Sequence, residues 1–196
     1  MLTLAFDTTA NSVSVALLDG ETVVAQDNRD MERGQGEALI PMIQALMKGA
    51  GLPMSAVKRV AVAVGPGSFT GVRVGLSAAR GIGLALSVPV VGVSTLTASA
   101  FRKSGRVIAV IDTKRGDFYT QIFSDGKPSE KPCIRTAEQI KALADCQAVG
   151  SGAPLLLPDK VQDDPYLTPA VAVGLCALTD ALPPEPLYLR EADVSC

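Results

Sequence analysis

Histidine and tryptophan are both missing from this 196-residue chain. Without imidazole there is no Ser-His-Asp or Cys-His nucleophile pair, no His-ligated zinc or iron, and no zincin motif. Acid–base chemistry, if present, falls to carboxylates, Lys, Tyr or Cys. Aromatic residues make up only 4%, so a base-stacking platform is poorly supplied. Basic charge is not in excess either. Against 20 Asp+Glu stand 18 Lys+Arg, a net charge of −2 and the wrong field for binding nucleic acid unaided. No apolar run approaches the roughly 20 residues that span a bilayer. The opening MLTLAFD has no basic n-region and meets Asp7 at once. No signal peptide and no membrane association are therefore expected, and the cytoplasm is the expected compartment. Cys133, Cys146, Cys176 and Cys196 are widely spaced with no CxxC pair, which suits reduced thiols better than a disulfide framework or a metal site.

What is present is an aliphatic, glycine-rich chain, 47% hydrophobic and long enough for a real core. Leu2–Phe6 and Ser12–Leu18 alternate as strands, and Asp19-Gly20 is a hairpin signal leading to a third strand at Thr22–Gln26. From Glu37 to Lys48 the apolar residues Leu39, Ile40, Ile43, Leu46 and Met47 fall at helical spacing, with Pro41 tolerable only near the helix start. Arg59–Val64 reads as a buried strand, Thr70–Ser87 as a long helix, Pro89–Val93 as another strand, and Thr95–Phe101 as a short helix. After Lys103-Ser104-Gly105 the plan recurs. Strands are expected at Val107–Ile111, Phe118–Phe123 and Ala148-Val149. Thr136 opens a helix with a capping box to Gln139, and Thr168-Pro169 begins a last helix running to about Ala181.

The two halves superimpose. Asp7-Thr8 is followed by an Asp-Gly turn 12 residues on, Asp112-Thr113 by one after 13, and in each half a strand ends at a glycine, Gly65 or Gly150. The expected fold is mixed α/β, one β-β-β-α-β-α unit used twice by internal duplication. The first unit would occupy residues 1–103 and a smaller second unit 104–196. By analogy, two such units with mixed sheets flanked by helices make the ribonuclease-H-like architecture of actin, sugar kinases and Hsp70.

The stretch GPGSFTGVRVG, Gly65–Gly75, fits neither a P-loop, since no Lys-Ser/Thr follows, nor GxGxxG, since the spacing is one residue too long. Gly67 and Ser68 sit where free amides could receive an anion, but a tight turn with close backbone packing weighs more. Gly71, Gly75, Ala79, Gly83 and Ser87 then form a small-residue seam at spacing four. Interior helical glycine costs roughly 1 kcal/mol relative to Ala, so something presses close: either this chain's own first helix or another subunit. Asp7, Thr8 and Thr9 end the first strand, where a phosphate- or metal-contacting acid stands in nucleotide-binding members of the actin-like group. Turn chemistry explains them equally well. Asp112 has the matching position in the second half. Arg73, Lys114 and Arg115 are candidate phosphate contacts or simply solvated charges.

Several segments are similar to the TsaB (YeaZ) family: Glu37–Ile43 (EALIPMI), Val64–Gly75 (VGPGSFTGVRVG), Val90–Leu96 (VVGVSTL), Ile111–Tyr119 (IDTKRGDFY) and Pro186–Arg190 (PLYLR). The resemblance implies a subunit of the bacterial machinery that places threonylcarbamoyl on the adenosine beside the tRNA anticodon. The catalytic paralogue there, TsaD, carries a metal-binding HxxxH after the strand matching Val90–Val93, where this chain has Thr95 and Ser99. An acidic pair of TsaD corresponds to Asn11 and Ser12, and many relatives have His where Gln35 stands. Neutral hydroxyls do not replace two imidazoles on a transition metal.

The resemblance therefore implies a non-catalytic scaffold with no metal or peptidase site of its own. It would activate a TsaD-like subunit in an assembly that includes a TsaE-like ATPase. ATP and magnesium would enter through the partner, tRNA would be reached indirectly, and alone the chain would pair as a homodimer. The docking surface expected on its first two helices comprises Leu39, Ile43, Met47, Val72, Gly75 and Ala79. Asp7, Thr8, Gly67 and Ser68 would be vestigial nucleotide or phosphate contacts. The rival expectation is an actin-like small-molecule kinase or ATPase using Asp7 and Asp112.

Overall fold

The chain is seen in a computed structural model that describes residues 1–143, 145–162 and 167–190; Cys196 lies outside the described residues. Its first half runs β1 (Leu2–Asp7), β2 (Ser12–Asp19), β3 (Thr22–Asp30), α1 (Gln35–Gly49), β4 (Arg59–Ala63), α2 (Phe69–Leu86), β5 (Val90–Val93) and α3 (Thr95–Ser99). The second half runs β6 (Arg106–Asp112), β7 (Phe118–Ser124), β8 (Lys127–Pro128), β9 (Cys133–Arg135), α4 (Ala137–Lys141), β10 (Gln147–Val149), α5 (Ala153–Leu156) and α6 (Pro169–Cys176).

Two mixed sheets result. The first has the order β3-β2-β1-β4-β5, with β1, β4 and β5 parallel and the hairpin strands antiparallel. The second has the order β10-β6-β7-β8, with β9 also on β7. Centring both sheets on β1 and β6, β7 matches β2 and β10 matches β4, which is the duplication expected from sequence. The second sheet has no counterpart of β5 among the described residues. Local signals come out as read. Asp19-Gly20 turns β2 into β3, and Thr136 and Gln139 form a reciprocal capping box. β3 runs on past Gln26 to Asp30, and Pro41 sits a full turn inside α1 rather than at its start. α6 stops at Cys176, well before Ala181.

Strand alternation then sets the layers. On the first sheet Leu4, Phe6, Val13, Val15, Leu17, Val60 and Val62 face α1 and α2, whose Leu39, Met42, Ile43, Leu76 and Ala79 complete that core. The opposite face is made of small side chains, Ala5, Ala16, Ala61 and Ala63, and receives α6. Small residues there let the helix come close: a Cβ on Gly174 would lie 3.1 Å from the Ala5 Cβ. α6 is buried on every side, as its wholly apolar sequence demands. Although it follows the second sheet in sequence, it packs on the first, so the first unit is completed by residues from beyond 104. In exchange, Leu96 of α3 and Ala100 cover Val107, Ala109 and Ile111 of the second sheet. Each half lends a helix to the layer between the sheets.

Candidate functional site

Between the two sheets lies a cleft of about 560 Å³, at the carboxyl ends of β1, β4, β6 and β10. Crevices at that end of a sheet are where α/β folds place ligands, and the volume suits a small molecule.

On the first wall Asp7 is buried, and its Oδ1 accepts the Thr9 amide at 2.6 Å. Burial pushes its carboxyl above the ordinary value against these Thr9 hydrogen bonds. Thr8 Oγ1 donates to the Gly71 carbonyl at 2.7 Å, and the Ser68 amide donates to the Thr9 carbonyl at 2.8 Å. The Ser68 amide is thus already engaged within the fold. A Cβ on Gly67 would stand 2.7 Å from the same carbonyl, so the tight-turn reading of Gly65–Ser68 accounts for its glycines. Thr9 and Thr95 hydroxyls meet at 3.3 Å, and Ser99 Oγ donates back to the Thr95 carbonyl at 2.8 Å. Both α3 hydroxyls line the cleft.

The second wall repeats the turn with different side chains. Asp112 Oδ1 accepts the Lys114 amide at 2.8 Å, and its Oδ2 pairs with Lys114 Nζ at 2.9 Å. Burial alone would raise the Asp112 carboxyl, but hydrogen bonds and charge from Lys114 outweigh it and hold the group below the ordinary value. Thr113 Oγ1 donates to Asp117 at 2.6 Å, and Asp117 also pairs with Arg190. Sequence reasoning missed that last pair, because nothing local links positions 117 and 190. Arg73 does not face the cleft as a phosphate contact: it lies 3.8 Å over the Phe69 ring and donates to the Tyr188 hydroxyl at 3.2 Å.

A divalent cation carried by a nucleotide takes one or two carboxylates and completes its shell with phosphates and water. In this cleft Asp7 is pushed toward its neutral form by burial. Asp112 is held by Lys114, and no group of three or more Asp, Glu, Cys or His that could hold a metal exists among the described residues. Burial pushes the Cys146 thiol up and that of Cys176 up to about 12, away from the nucleophilic thiolate.

The side chains expected at a docking surface are in this chain's own core. Leu39, Ile43, Met47, Val72 and Ala79 are between 0% and 3% exposed. Gly75 faces inward, where a Cβ would lie 2.8 Å from Thr8 Oγ1 and 3.2 Å from Val62. The apolar stripe of an amphipathic helix buries itself against its own sheet first, so these six positions have no surface to offer. The seam has the same explanation. A Cβ on Gly71 would sit 2.0 Å from the Thr8 carbonyl, and one on Gly83 2.3 Å from Val90. The seam glycines of α2 face the turn after β1, Val62 of β4 and Val90 of β5, while the contact of α2 with α1 runs through other residues, Val74 against Gly36.

Two ribonuclease-H-like units around a cleft place the chain in the actin-like ATPase fold class. The activator of 2-hydroxyisocaproyl-CoA dehydratase from Clostridium difficile shares the fold alone, with TM-score 0.57 and 12% identity over 90% of this chain and 94% of that one. The family model for "TsaD: tRNA N6-adenosine threonylcarbamoyltransferase" matches residues 29–141. YeaZ from Pseudomonas aeruginosa superimposes with TM-score 0.76 and 27% identity, covering 96% of this chain and 99% of that one. The tRNA threonylcarbamoyladenosine biosynthesis protein TsaB of Escherichia coli K12 is 39% identical over 124 residues, 61% of this chain. That match spans about half of the relative's length, 53%. The chain belongs to the TsaB/YeaZ family. No helix among the described residues is long and apolar enough to cross a membrane.

Proposed function

We propose that this chain is a non-catalytic subunit of a cytoplasmic tRNA threonylcarbamoyladenosine-forming assembly, binding and activating a TsaD-like catalytic subunit. The observation that carries the non-catalytic part is the occupied cleft chemistry: Lys114 sits on Asp112, and Thr95 and Ser99 offer only neutral hydroxyls tied to Thr9 and to the helix backbone. ATP and magnesium then come through the partner, a TsaE-like ATPase joins the same assembly, and tRNA is reached indirectly.

Docking is proposed on the solvent side of α1 and α2, where Ile40, Ser77 and Gly81 are exposed. Gly81 supports this choice. The other glycines of α2 are required by the chain's own packing, but a Cβ at Gly81 meets nothing within 4 Å. A helical glycine that costs roughly 1 kcal/mol relative to Ala, with no internal reason, fits a close neighbour outside the chain. The same face serves self-pairing when the partner is absent.

Gly81→Arg tests the reading, since it leaves the core untouched. The variant should keep its circular dichroism and thermal midpoint, yet recover at least tenfold less of a TsaD-like protein when the tagged chain is captured from its native lysate. Normal recovery would remove the docking face. The rival kinase reading draws on the cleft between Asp7 and Asp112. Stoichiometric ATP binding and turnover by the isolated chain, measured by calorimetry, would favour it.

A further inference from the structure

After α6 the chain crosses back over the first unit in an extended segment, residues 182–190. Leu182 and Gly92 exchange both backbone hydrogen bonds at 2.8 Å, so the segment begins as an added strand on the edge of β5. Arg80 of α2 donates to the Pro184 carbonyl at 2.6 Å. The Leu187 amide donates to the Val64 carbonyl at 2.8 Å, beyond the end of β4. Tyr188 stacks on Phe69 with centroids 5.2 Å apart, and its hydroxyl accepts from Arg73. Finally Arg190 pairs with Asp117, which is itself held by Thr113 beside Lys114 on the far wall. Tyr188 and Arg190 both line the cleft.

The backbone is shaped for this passage. A Cβ on Gly92 would lie 2.6 Å from the Pro183 carbonyl oxygen, and one on Gly65 3.2 Å from that of Leu187. The attachments at the two ends differ in kind. On the first sheet they are backbone hydrogen bonds over a glycine. Across the cleft the ion pair of Arg190 with Asp117 closes the span, between side chains that are 29% and 23% exposed. Contacts of that second kind open more readily than a sheet edge.

We propose that residues 182–190 form a latch that holds the two units closed across the cleft mouth, with Arg73 and Arg80 of α2 as its catch. The latch links the α2 surface on one unit to the Asp112–Asp117 loop on the other, so anything that binds only the open or only the closed form shifts both ends together. The device needs no particular partner and stands apart from the docking reading.

Amide hydrogen exchange on the full chain tests it. In the double variant Tyr188→Ala/Arg190→Ala, the Gly92 and Leu187 amides should exchange at least tenfold faster. The Thr113 and Lys114 amides, on the other wall, should do the same, while β1 amides keep their rates. Arg73→Gln/Arg80→Gln, placed on α2 alone, should reproduce acceleration at Thr113 and Lys114. Unchanged Thr113 and Lys114 rates in both double variants would overturn the proposal. If β1 amides also accelerate, the fold has been weakened, and Tyr188→Phe decides. It removes only the hydrogen bond to Arg73, and should give a smaller acceleration at Leu187 and Thr113 with β1 unmoved. No selective effect there overturns the latch.

Discussion

Asp7 and Asp112 stand at the same place in two copies of one design, and they behave oppositely. Each ends an inner strand of its sheet, and its carboxylate accepts the amide of the residue two positions on. Asp7 is buried, forms no ion pair among the described residues, and is pushed toward its neutral form. Asp112 carries Lys114 and is held ionised. The divergence sits in one position of the turn, Thr9 against Lys114, and in what covers it. α2 clamps the first turn through Gly71 and Thr8 Oγ1, whereas the second lies open to solvent. Duplication has kept the backbone device and let the electrostatics separate. One copy became packing, and the other an ion pair whose Lys114 arm reaches into solvent.

The largest expected effect breaks the packed copy. Gly71→Ala sets a Cβ 2.0 Å from the Thr8 backbone carbonyl, in the turn just after β1. Overpacking costs typically ~1–3 kcal/mol, and this contact belongs at or above the upper end. Gly152→Ala at the second wall meets side-chain atoms of Val110 and Phe118, at the longer distances of 2.7 and 2.9 Å, rather than a backbone carbonyl. Its loss should be clearly smaller by urea denaturation. Equal losses would mean that the second wall is packed as rigidly as the first. Gly75→Leu belongs with Gly71→Ala, a folding defect and not a selective loss of docking.

A pH series on two neutralised carboxylates gives the next effect. Native Asp7 keeps its proton to higher pH than the unfolded chain does, so stability falls as pH rises from the ordinary value of 3.8 through the raised one. Asp7→Asn removes that fall while its amide oxygen still accepts from Thr9. Its thermal midpoint should exceed that of the unmodified chain at neutral pH and converge with it in acid. Asp112 has its pKa lowered, so its contribution is full above the ordinary value and lost as pH falls through the lowered one. Asp112→Asn should therefore be less stable at neutral pH and converge in acid. The loss stays below about 1 kcal/mol because the Lys114 side chain is 66% exposed. Shifts of the same sign would erase the contrast.

What could be read in advance was local. Asp19-Gly20, the Thr136–Gln139 box, the apolar strand expected at Arg59–Val64 and found at Arg59–Ala63, and the repeat of Asp7 in Asp112 all act within a few residues or restate themselves, and each took its expected place. Sequence periodicity failed where it had to choose a partner. The stripe Leu39, Ile43, Met47 shows that α1 has an apolar face but not whether a sheet or a second protein covers it, and the nearest sheet wins. Gly71 and Gly75 announced a close approach without naming Thr8. The exchange of α3 and α6 between units was invisible because it depends on distant surfaces. One signal did exist: PAVAVGLC, apolar all round, demands burial between layers rather than on one face.

That exchange rests partly on a single hydroxyl. Thr168 precedes α6 in the position of an N-cap, yet its side chain makes no cap bond and its Oγ1 instead meets Gln26 at 2.9 Å. The Ala170 amide donates to Ser14 Oγ, 3.1 Å away on β2 and fully buried. A strand of the first unit thus caps a helix that the chain supplies 156 residues later. α4, by contrast, is capped by its own Thr136 within the second unit. Ser14→Ala leaves that amide unpaired where water cannot reach it, at a cost of ~1 kcal/mol, the smallest of these effects. Denaturation should show that loss, and exchange should speed up selectively at Ala170 and its neighbours in α6 while α4 is unmoved. If Ala170 stays fully protected, burial of the apolar helix against Ala5, Ala16 and Leu18 is sufficient to seat it, and the hydroxyl is incidental to the borrowed helix.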